Sequence, residues 1–419
     1  MATPTMRLDE EKMTETIPQP VRDVLIVNRR RLELVERVLD DRRLRAAVIT
    51  EPDCAELYCG IDDVIHVSNV QNLDEVRVAA LELWDRRKFD AVLAPGETSI
   101  PAAGYLRSYF GLPGISFEVA HAFCDKSAMK ARLRRGGIPV AGSTLVYRAS
   151  ALPATIAAHG FPAVVKPSWC DGAADVHVIA NEFDAAAIAL PDGPLSVASE
   201  PPFLVEDYVP FDEEYHCDGL VQDGRVVFTA VAKYLTPPLR SIGKVFGSCT
   251  LPHEDPDAAA LRRLHADVVK VMGLRDSVTH LEVFRSPDGF VVGEIACRPG
   301  GGGVPHMLRT AYGFDTWDHY TAASLNEKRN WYPRATGKVH AWVMFPVEPG
   351  VVKRVPDVAA FEEWPEIDDF QLKIAAGDKF ASKRYSTTGS AIAYCTVPSA
   401  ADLTALVARL QDEFVIEYE

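Results

Sequence analysis

Short apolar runs alternate with amphipathic stretches through the first hundred residues of the chain. Residues 21–28 (VRDVLIVN), 46–50 (AAVIT), 62–67 (DDVIHV) and 90–95 (DAVLAP) each have the composition of a buried strand, and amphipathic segments such as LDEVRVAALELWDRR lie among them. Alternating strands and helices predict a parallel sheet that helices cover on both faces. No Gly-x-Gly-x-x-Gly sequence follows the first strand, so the fingerprint of a dinucleotide-binding domain is absent.

From about residue 123 the pattern changes to strands that follow one another through short turns. Strands are predicted at 161–167 (FPAVVKP), 203–209 (FLVEDYV), 214–221 (EYHCDGLV) and 226–235 (VVFTAVAKYL). Fewer helical segments lie between them than in the first hundred residues. This part of the chain is therefore expected to have α+β rather than strictly alternating architecture.

Two helices and a further group of strands complete the pattern. One helix is predicted to begin after Asp255, with Pro256 at its first position and Gly273 at its end. The segments KVHAWVMFPV and AIAYCTV are typical of strands, and a final helix is predicted from Ser399. The fold class is therefore α/β, with an N-terminal parallel-sheet lobe, a two-part middle and a C-terminal lobe.

Composition restricts the kinds of partner that the chain can have. A length of 419 residues with 47% hydrophobic and 25% charged positions is typical of a globular protein with two or three domains. The net charge of −15 argues against nucleic acid as a partner, because nucleic-acid-binding proteins need a positively charged surface. No apolar run approaches the roughly 18 residues of a membrane span. The eight cysteines form no Cys-x-x-Cys pair, which favours reduced thiols in a cytoplasmic protein.

A hairpin within residues 279–298 (THLEVFRSPDGFVVGEIACR) carries the first candidate chemistry. A three-residue loop, with Pro287 and Asp288 in a type I turn and Gly289 in the left-handed conformation, would place Ser286 opposite Phe290. Counting outward from that loop gives the pairs Phe284–Val292, Glu282–Glu294, His280–Ala296 and Val278–Arg298. Directly opposed residues share a face of the sheet, so the two glutamates are predicted to lie roughly 5 Å apart at their Cβ atoms.

Two carboxylates so close repel each other unless a positive charge lies between them. A hard cation such as Mg²⁺ suits one or two carboxylates together with phosphate oxygens and water. The alternative is that one glutamate is protonated or that both are solvated. Arg298, on the same face, favours a site for a polyanion. Four glycines follow at 300–303; their backbone N–H groups could hold a phosphoryl group or an oxyanion, although a flexible turn is the common alternative.

Further charged residues precede the hairpin. Lys126 opens a predicted helix and Lys166 ends a predicted strand, and either one taken alone could be a solvated surface lysine. Glu206 lies in VEDYV, and the acidic pair Glu213 and Glu214 follows it within a few residues. Each of these signals is weak by itself.

In this order the motifs resemble the ATP-grasp superfamily of carboxylate–amine ligases, from about residue 21 to the end and most specifically over 121–310. The resemblance implies that ATP and Mg²⁺ (or Mn²⁺) bind between two halves of an ATP-grasp domain. It implies the following nucleotide contacts: Lys126 and Lys166 to phosphates; the loop SWCDGAAD, with Asp171 and Gly172, over the phosphates; Glu206 near the adenine amine; backbone groups of Tyr208 and Val209 on the adenine edge; and Glu214, with Glu213 as the alternative, on the ribose.

The resemblance also implies that Glu282 and Glu294 are the metal ligands. Many members of the superfamily have an asparagine where this chain has Ala296, and THLE with EIACR is similar to the branch of bacterial dipeptide-forming L-amino acid ligases that includes the bacilysin and dapdiamide synthetases. In that branch Arg298, with Gly301 and Gly302, would hold the acyl phosphate or the incoming carboxylate. His280 either fills space beside Ala296 or is a hydrogen-bonded strand histidine, and the second reading is favoured.

The loop 236–248 (TPPLRSIGKVFGS) is predicted to close over the site. Three residues in or near this loop are candidates for contacts to the γ-phosphate or the substrate: Lys233, Arg240 and Lys244. The equal alternative is that each of them is an exposed, solvated side chain. No motif identifies the pockets for the acid and the amine. The residues we consider for those pockets are Trp169, His306, Met307 and residues of the C-terminal lobe.

Five segments are predicted: a disordered tail (1–20), an N-terminal nucleotide-fold-like domain (21–122), a lid subdomain (123–203), a main subdomain with the metal site (204–335) and a C-terminal lobe (336–419). The expected reaction joins a small carboxylic acid to the amino group of an amino acid through an acyl phosphate, giving an amide or dipeptide, ADP and phosphate. The alternatives are a ligase that forms carboxyphosphate from bicarbonate and an ATP-binding protein without catalysis. The oligomeric state stays open, a homodimer included.

Overall fold

The computed structural model describes residues 21–169, 175–188, 190, 202–380 and 389–419. The predicted N-terminal tail and most of the loop SWCDGAAD lie outside these residues. Among the described residues, no helix is both long enough and apolar enough to cross a membrane.

The N-terminal domain has the predicted parallel sheet, with strand order β3-β2-β1-β4. Its strands are β1 (Arg22–Val27), β2 (Leu44–Thr50), β3 (Asp63–His66) and β4 (Ala91–Leu93). Its helices are α1 (Glu33–Asp40), α2 (Leu73–Arg86), α3 (Ile100–Phe110) and α4 (Phe117–Cys124). The sequence pattern predicted every strand here but missed α4, whose residues have no clear polar face.

A second, antiparallel sheet, here called the lid sheet, has the order β5-β8-β6-β7. It comprises β5 (Ser143–Val146), β6 (Ala163–Pro167), β7 (His177–Ile179) and β8 (Phe203–Asp207), with helices α5 (Lys126–Arg135), α6 (Leu152–His159) and α7 (Glu182–Ile188) nearby in the chain. The boundary predicted between residues 203 and 204 falls inside β8, so the lid sheet extends to Asp207.

An eight-stranded sheet forms the centre of the molecule, in the order β13-β12-β9-β10-β11-β14-β18-β16. Its strands are β9 (Glu213–Gln222), β10 (Arg225–Tyr234), β11 (Phe246–Thr250), β12 (Ser277–Ser286), β13 (Gly289–Ala296), β14 (Val339–Pro346), β16 (Ile367–Leu372) and β18 (Gly389–Val397). The sheet runs across the boundary predicted at 335/336, because β14 pairs directly with β11.

Helices and a small sheet complete the C-terminal half. The helices are α8 (Pro256–Met272), α9 (Val304–Tyr312), α10 (Thr316–Ser324), α11 (Ala359–Glu362) and α12 (Ala400–Glu413). The small sheet pairs β15 (Gly350–Arg354) with β17 (Lys379–Phe380) and β19 (Glu417–Tyr418). Asp255 caps α8 by accepting from the N–H groups of Asp257 and Ala258, and Gly273 ends that helix in the left-handed conformation, as predicted.

The hairpin of β12 and β13 has a different turn from the predicted one. Ser286 pairs with Gly289 and Val283 with Val292, so the loop has two residues, and the predicted pairs Ser286–Phe290 and Phe284–Val292 are wrong. A bulge at Gly293 then adds one residue to β13. The two differences cancel, so Glu282 lies opposite Glu294 and His280 opposite Ala296, as predicted.

One buried core joins the N-terminal domain to the central sheet. It contains side chains from β1 and β2, from α3, α5 and α8, and from both strands of the hairpin, including Leu25, Ile49, Leu106, Leu281 and Ile295. The lid sheet has a separate core. The hairpin with the two glutamates therefore packs in the same core as the N-terminal domain.

Candidate active site

Three adjacent strands place acidic and imidazole side chains in two rows. The first row runs from His216 on β9 through Glu282 on β12 to Glu294 on β13. The second row runs from Asp218 through His280 to Ala296. Because directly opposed residues share a face, both glutamates lie on the same side of the sheet as His216, and His280 lies in the neighbouring row.

Each of the two glutamates has a partner in this site. Lys126 Nζ lies 3.1 Å from Glu294 Oε1, and the lysine side chain is almost fully buried. The Tyr234 hydroxyl donates to Glu282 Oε1 at 2.9 Å. Burial opposes ionisation of Glu282, but His280 and Tyr234 hold the pKa of its carboxyl well below the usual range. Glu282 is therefore ionised at neutral pH, and Glu294 lies opposite it on the same face of the sheet.

A cluster of lysines lies beside this pair. Lys166 Nζ and Lys130 Nζ both contact Glu206 Oε1, at 3.0 and 3.3 Å, and Lys130 also donates to the Gly293 carbonyl at 3.4 Å. Burial lowers the pKa of Lys130 to about 8. The sequence analysis missed Lys130, although it lies one helical turn after Lys126 and so on the same face of α5. Glu206, predicted near adenine, contacts both lysines here.

Arg298 contacts a residue that the sequence analysis did not select. Its guanidinium forms a short ion pair with Glu97, which follows β4 in the N-terminal domain, and it donates to the Pro299 carbonyl at 2.9 Å. Glu97 is 7% exposed, and burial raises the pKa of its carboxyl despite Arg298. The signal that could have pointed to Glu97 is its position just after β4, because ligands of parallel sheets bind at the carboxyl ends of the strands.

The four glycines have unequal surroundings. A Cβ on Gly303 would lie 2.5–2.7 Å from the Trp342 side chain, and one on Gly302 would lie 2.8 Å from the same indole. A Cβ on Gly300 would lie 2.8 Å from His280 Nδ1. Only at Gly301, among these four, would a Cβ meet nothing within 4 Å. Close packing therefore explains three of the glycines, and Gly301 is the one that borders open space.

The predicted adenine and ribose residues lie where β8 leads into β9. Tyr208 and Val209 are half-buried after β8. Glu214 is buried, and burial together with nearby Glu282 raises the pKa of its carboxyl well above the usual range. Glu213 instead contacts Lys233 at 2.9 Å. Of the two predicted ribose acids, Glu214 is the one on the side of Glu282.

A chain of hydrogen bonds links the two rows. Asp218 accepts from two imidazoles, with Oδ2 2.6 Å from His216 Nδ1 and Oδ1 2.8 Å from His280 Nδ1. His280 Nε2 is 3.6 Å from Glu282 Oε1, and His216 Nε2 is 2.8 Å from Ser248 Oγ. Burial works against the charged form of His280, but Asp218 raises its pKa to about 10. The hydrogen bond to Asp218 confirms the favoured interpretation of His280 as a hydrogen-bonded strand histidine.

The remaining candidates lie apart from these rows. Lys244 is exposed, borders a cavity lined by C-terminal residues, and makes no ion pair with a described residue. Lys233 is paired with Glu213, while Arg240 donates to the Phe211 carbonyl at 2.9 Å. Asp171 and Gly172 lie outside the described residues.

The three pocket candidates have local partners. Trp169 Nε1 donates to Asp125 at 2.6 Å, and this carboxylate also caps α5. His306 stacks on Tyr394 with ring centres 3.8 Å apart, and Met307 is fully buried. The hydrogen bond gives Trp169 a structural role, and Met307 is part of a buried core.

The donor set fits a hard divalent cation and a polyphosphate. Glu282 and Glu294 supply carboxylate oxygens from adjacent strands, the ligand type that Mg²⁺ prefers. Lys126 already places one positive charge beside Glu294, at 3.1 Å from its Oε1. Lys126, Lys130 and Lys166 lie within the same cluster of contacts and can neutralise phosphate charge.

Comparison with known proteins identifies the domain. A sequence model of the ATP-grasp domain matches residues 159–305, which include β6, the first strands of the central sheet and the hairpin. These residues therefore carry an ATP-grasp domain. The chain is 28% identical over 400 residues to the L-arginine-specific L-amino acid ligase of Bacillus subtilis, an alignment that covers 94% of this chain and 97% of that protein.

Solved structures agree on the fold. The crystal structure of L-amino acid ligase from Bacillus licheniformis superimposes with a TM-score of 0.74 at 15% identity, covering 96% of this chain and 100% of that one. Carboxyaminoimidazole ribonucleotide synthase from Aspergillus clavatus, complexed with ATP, gives a TM-score of 0.68 at 16% identity, covering 94% and 98% of the two chains. At these identities the structural matches establish the architecture.

Proposed function

We propose that this chain, an ATP-grasp protein with the fold of an L-amino acid ligase, uses ATP to join a carboxylic acid to the amino group of an amino acid. The products are an amide or dipeptide, ADP and phosphate. The observation that carries the proposal is the convergence of Glu282, Glu294 and Lys126 on one face of the central sheet, beside a half-buried Arg298 that a nucleotide-binding module would not need.

The reaction has two steps. A carboxylate oxygen of the acid attacks the γ-phosphorus of ATP, the bond to the β-phosphate oxygen breaks, and an acyl phosphate and ADP form. The neutral amine then attacks the acyl carbon, phosphate leaves with the bonding electrons, and the nitrogen loses one proton, which phosphate or water takes up. Phosphoryl transfer requires little covalent chemistry of the protein, so positioning and neutralisation of charge provide the catalysis.

The site residues divide this work. Lys126 and Lys166, joined by Lys130, neutralise the phosphates, and Glu214 binds the ribose hydroxyls. Arg298 and the backbone at Gly301 hold the acyl phosphate, where fixed donors stabilise the developing oxyanion. Glu282 and Glu294 would hold Mg²⁺, which when bound supplies positive charge to the phosphate oxygens.

Glu97 supports an amino acid as a substrate. One of its carboxylate oxygens binds Arg298, whereas Oε1 is buried and accepts no hydrogen bond from a described residue. A buried carboxylate oxygen without a donor is costly, and an ammonium group would satisfy it. We therefore place the amino group of a substrate amino acid beside Glu97, within reach of Arg298.

The test is a matrix of L-amino acids in pairs with ATP and Mg²⁺, with L-arginine included because of the Bacillus subtilis relative. Release of ADP and phosphate is measured, and the condensed product is identified by mass. ADP release that needs two amino acids, with a product lighter by one water than the pair, supports the proposal. ADP release with bicarbonate alone would indicate the carboxyphosphate reaction, and nucleotide binding without ADP release in any mixture would indicate a binding protein.

A further inference from the structure

The buried pair of Asp218 and His280 is not required by any step of the proposed reaction. Asp218 is 1% exposed, lies on β9, and faces His280 directly across the pairing of β9 with β12. A buried carboxylate is costly unless it is fully hydrogen-bonded. Here each oxygen of Asp218 accepts from one imidazole, His216 at 2.6 Å and His280 at 2.8 Å.

This geometry is a hydrogen-bonded triad rather than a second metal centre. His216, Asp218 and His280 are close enough to share an ion, but the contacts between them have ordinary hydrogen-bond lengths. The outer imidazole is also occupied, because His216 Nε2 contacts Ser248 Oγ at 2.8 Å and this hydroxyl accepts from Trp342 Nε1 at 2.7 Å. The chain of contacts therefore runs from β14 to His280 without a gap.

The inner end of this chain contacts two parts of the active site. His280 Nε2 lies 3.6 Å from Glu282 Oε1, and its Nδ1 lies where a Cβ on Gly300 would come within 2.8 Å. His280 is therefore held between the metal-side carboxylate and the first residue of the glycine run. Ala296, opposite His280, is too small to hold the ring from the other side.

We propose that Asp218 is a positioning residue: through its hydrogen bond to His280 it fixes the imidazole, and thereby the side chain of Glu282 and the backbone at Gly300, in the geometry that binds the metal–nucleotide. This inference rests on the assignment of Glu282 as a metal ligand in the proposed function. Second-sphere contacts of this kind orient ligands, and their loss typically weakens metal affinity 10- to 100-fold.

The test compares Asp218→Asn with a matched control, His265→Asn. His265 lies on α8 and is equally buried. It hydrogen-bonds to Thr229 and Thr279 of the central sheet, at 2.8 and 2.9 Å, and has no hydrogen bond to Glu282. The half-saturating Mg²⁺ concentration for binding of a non-hydrolysable ATP analogue is measured by calorimetry, and the melting temperature is recorded for each protein. This readout does not require the acid and amine to be known.

We expect Asp218→Asn to raise the half-saturating Mg²⁺ concentration at least tenfold, whereas His265→Asn lowers the melting temperature and leaves Mg²⁺ dependence within twofold. If Asp218→Asn does not fold, His216→Asn is measured in its place, with at least a threefold rise expected. Folded variants with wild-type Mg²⁺ dependence would overturn the inference. Wild-type protein that binds the nucleotide analogue equally well without Mg²⁺ would instead overturn the metal assignment, and with it the proposed function.

Discussion

Glu294 is the residue on which the metal assignment can be tested most directly. Its carboxylate lies opposite Glu282 and is occupied by Lys126 Nζ at 3.1 Å. In Glu294→Gln the size of the side chain is kept, but one of the two proposed charged metal ligands is lost. A bound metal ion stabilises charge in the transition state by several kcal/mol, so weakening its site should lower substrate-dependent ADP release about 100-fold or more.

The matched control for this variant is Asp288→Ala, which removes an exposed carboxylate from the turn of the same hairpin. It should keep wild-type turnover. ADP release is measured over a range of Mg²⁺ concentrations for both variants. Undiminished turnover in folded Glu294→Gln would remove this residue from the site.

The glycine run offers a second comparison between neighbouring residues. In Gly303→Ala the new methyl group would lie 2.5–2.7 Å from Trp342, which is itself fully buried, so we expect a loss of about 1–3 kcal/mol in the free energy of unfolding. In Gly301→Ala the methyl group meets nothing within 4 Å, so stability should change by less than about 0.5 kcal/mol.

Gly301→Ala should lower the activity of the enzyme although it leaves the stability unchanged. If its backbone borders the acyl phosphate, a methyl group there narrows the site, and we expect kcat/KM to fall about tenfold in a protein of unchanged stability. Urea denaturation and initial rates on the same preparations measure both quantities. A Gly301→Ala protein with full activity would speak against a ligand at this position.

The hairpin shows, at the scale of an element, what a sequence can and cannot predict. The opposition of Glu282 and Glu294 was predicted correctly, but through a three-residue loop that does not exist. The actual two-residue loop would by itself place Gly293 opposite Glu282, and the bulge at Gly293 restores the register. A Pro-Asp-Gly segment is compatible with both loops, and the bulge falls at Gly293, where a Cβ would lie 3.1 Å from the Phe284 ring.

Candidate site residues that lie in recognisable sequence motifs could be predicted, whereas a residue that only a tertiary contact brings to the site could not. Lys126, Lys166, Glu282 and Glu294 stand in recognisable segments of their elements. Glu97 lies 201 positions from Arg298 in the sequence, so no local pattern could indicate their ion pair. The predicted ATP-grasp domain is confirmed by the family comparison, while the individual roles of the site residues stay predictions.

Helix α8 is attached to the central sheet by a buried histidine, which predicts a dependence of stability on pH. His265 contacts Thr229 on β10 and Thr279 on β12, and burial lowers its pKa to about 4. Because the folded state binds this proton less readily than the unfolded state, the contribution to stability is complete above pH 6.5 and is lost as the pH falls toward 4.

Between pH 7 and pH 5 this group alone should remove about 2 kcal/mol of stability, at about 1.4 kcal/mol per pH unit below its unfolded value. His265→Asn lacks the titrating group. Its stability deficit relative to wild type, measured by urea denaturation, should therefore shrink by about 2 kcal/mol from pH 7 to pH 5. Equal pH dependence of the two proteins would contradict this account.

At the scale of the whole molecule, the active site is assembled from parts with different cores. Lys166 and Glu206 belong to the lid sheet, whose buried side chains form their own cluster. The hairpin acids and Lys126 belong to the body of the molecule, whose core is shared with the N-terminal domain. A nucleotide that contacts both sets would lie between lid and body, which explains why no single segment of the sequence contains the complete site.

The N-terminal domain contributes to this site through Glu97, and its role can be separated from simple attachment. In Glu97→Gln the half-buried guanidinium of Arg298 loses its charged partner, and the proposed ammonium acceptor becomes neutral. Breaking a buried charge pair leaves an uncompensated charge, and the affected interactions involve the amino acid rather than ATP. We therefore expect kcat/KM for the amino acid substrate to fall at least about 100-fold while the Kd for ATP changes less than about threefold.

A second contact between the N-terminal domain and the rest of the chain provides the control. Arg37 on α1 pairs with Asp315, just before α10, at 2.9 Å, and both side chains are about one-third exposed. Because exposed pairs contribute little, Arg37→Ala should keep wild-type kinetics and lose at most about 1 kcal/mol of stability. Steady-state rates and calorimetric ATP binding on the two variants distinguish the hypotheses. Equal kinetics in both would mean that the N-terminal domain serves only as a scaffold, and a loss of ATP affinity in Glu97→Gln would place Glu97 on the nucleotide side of the site.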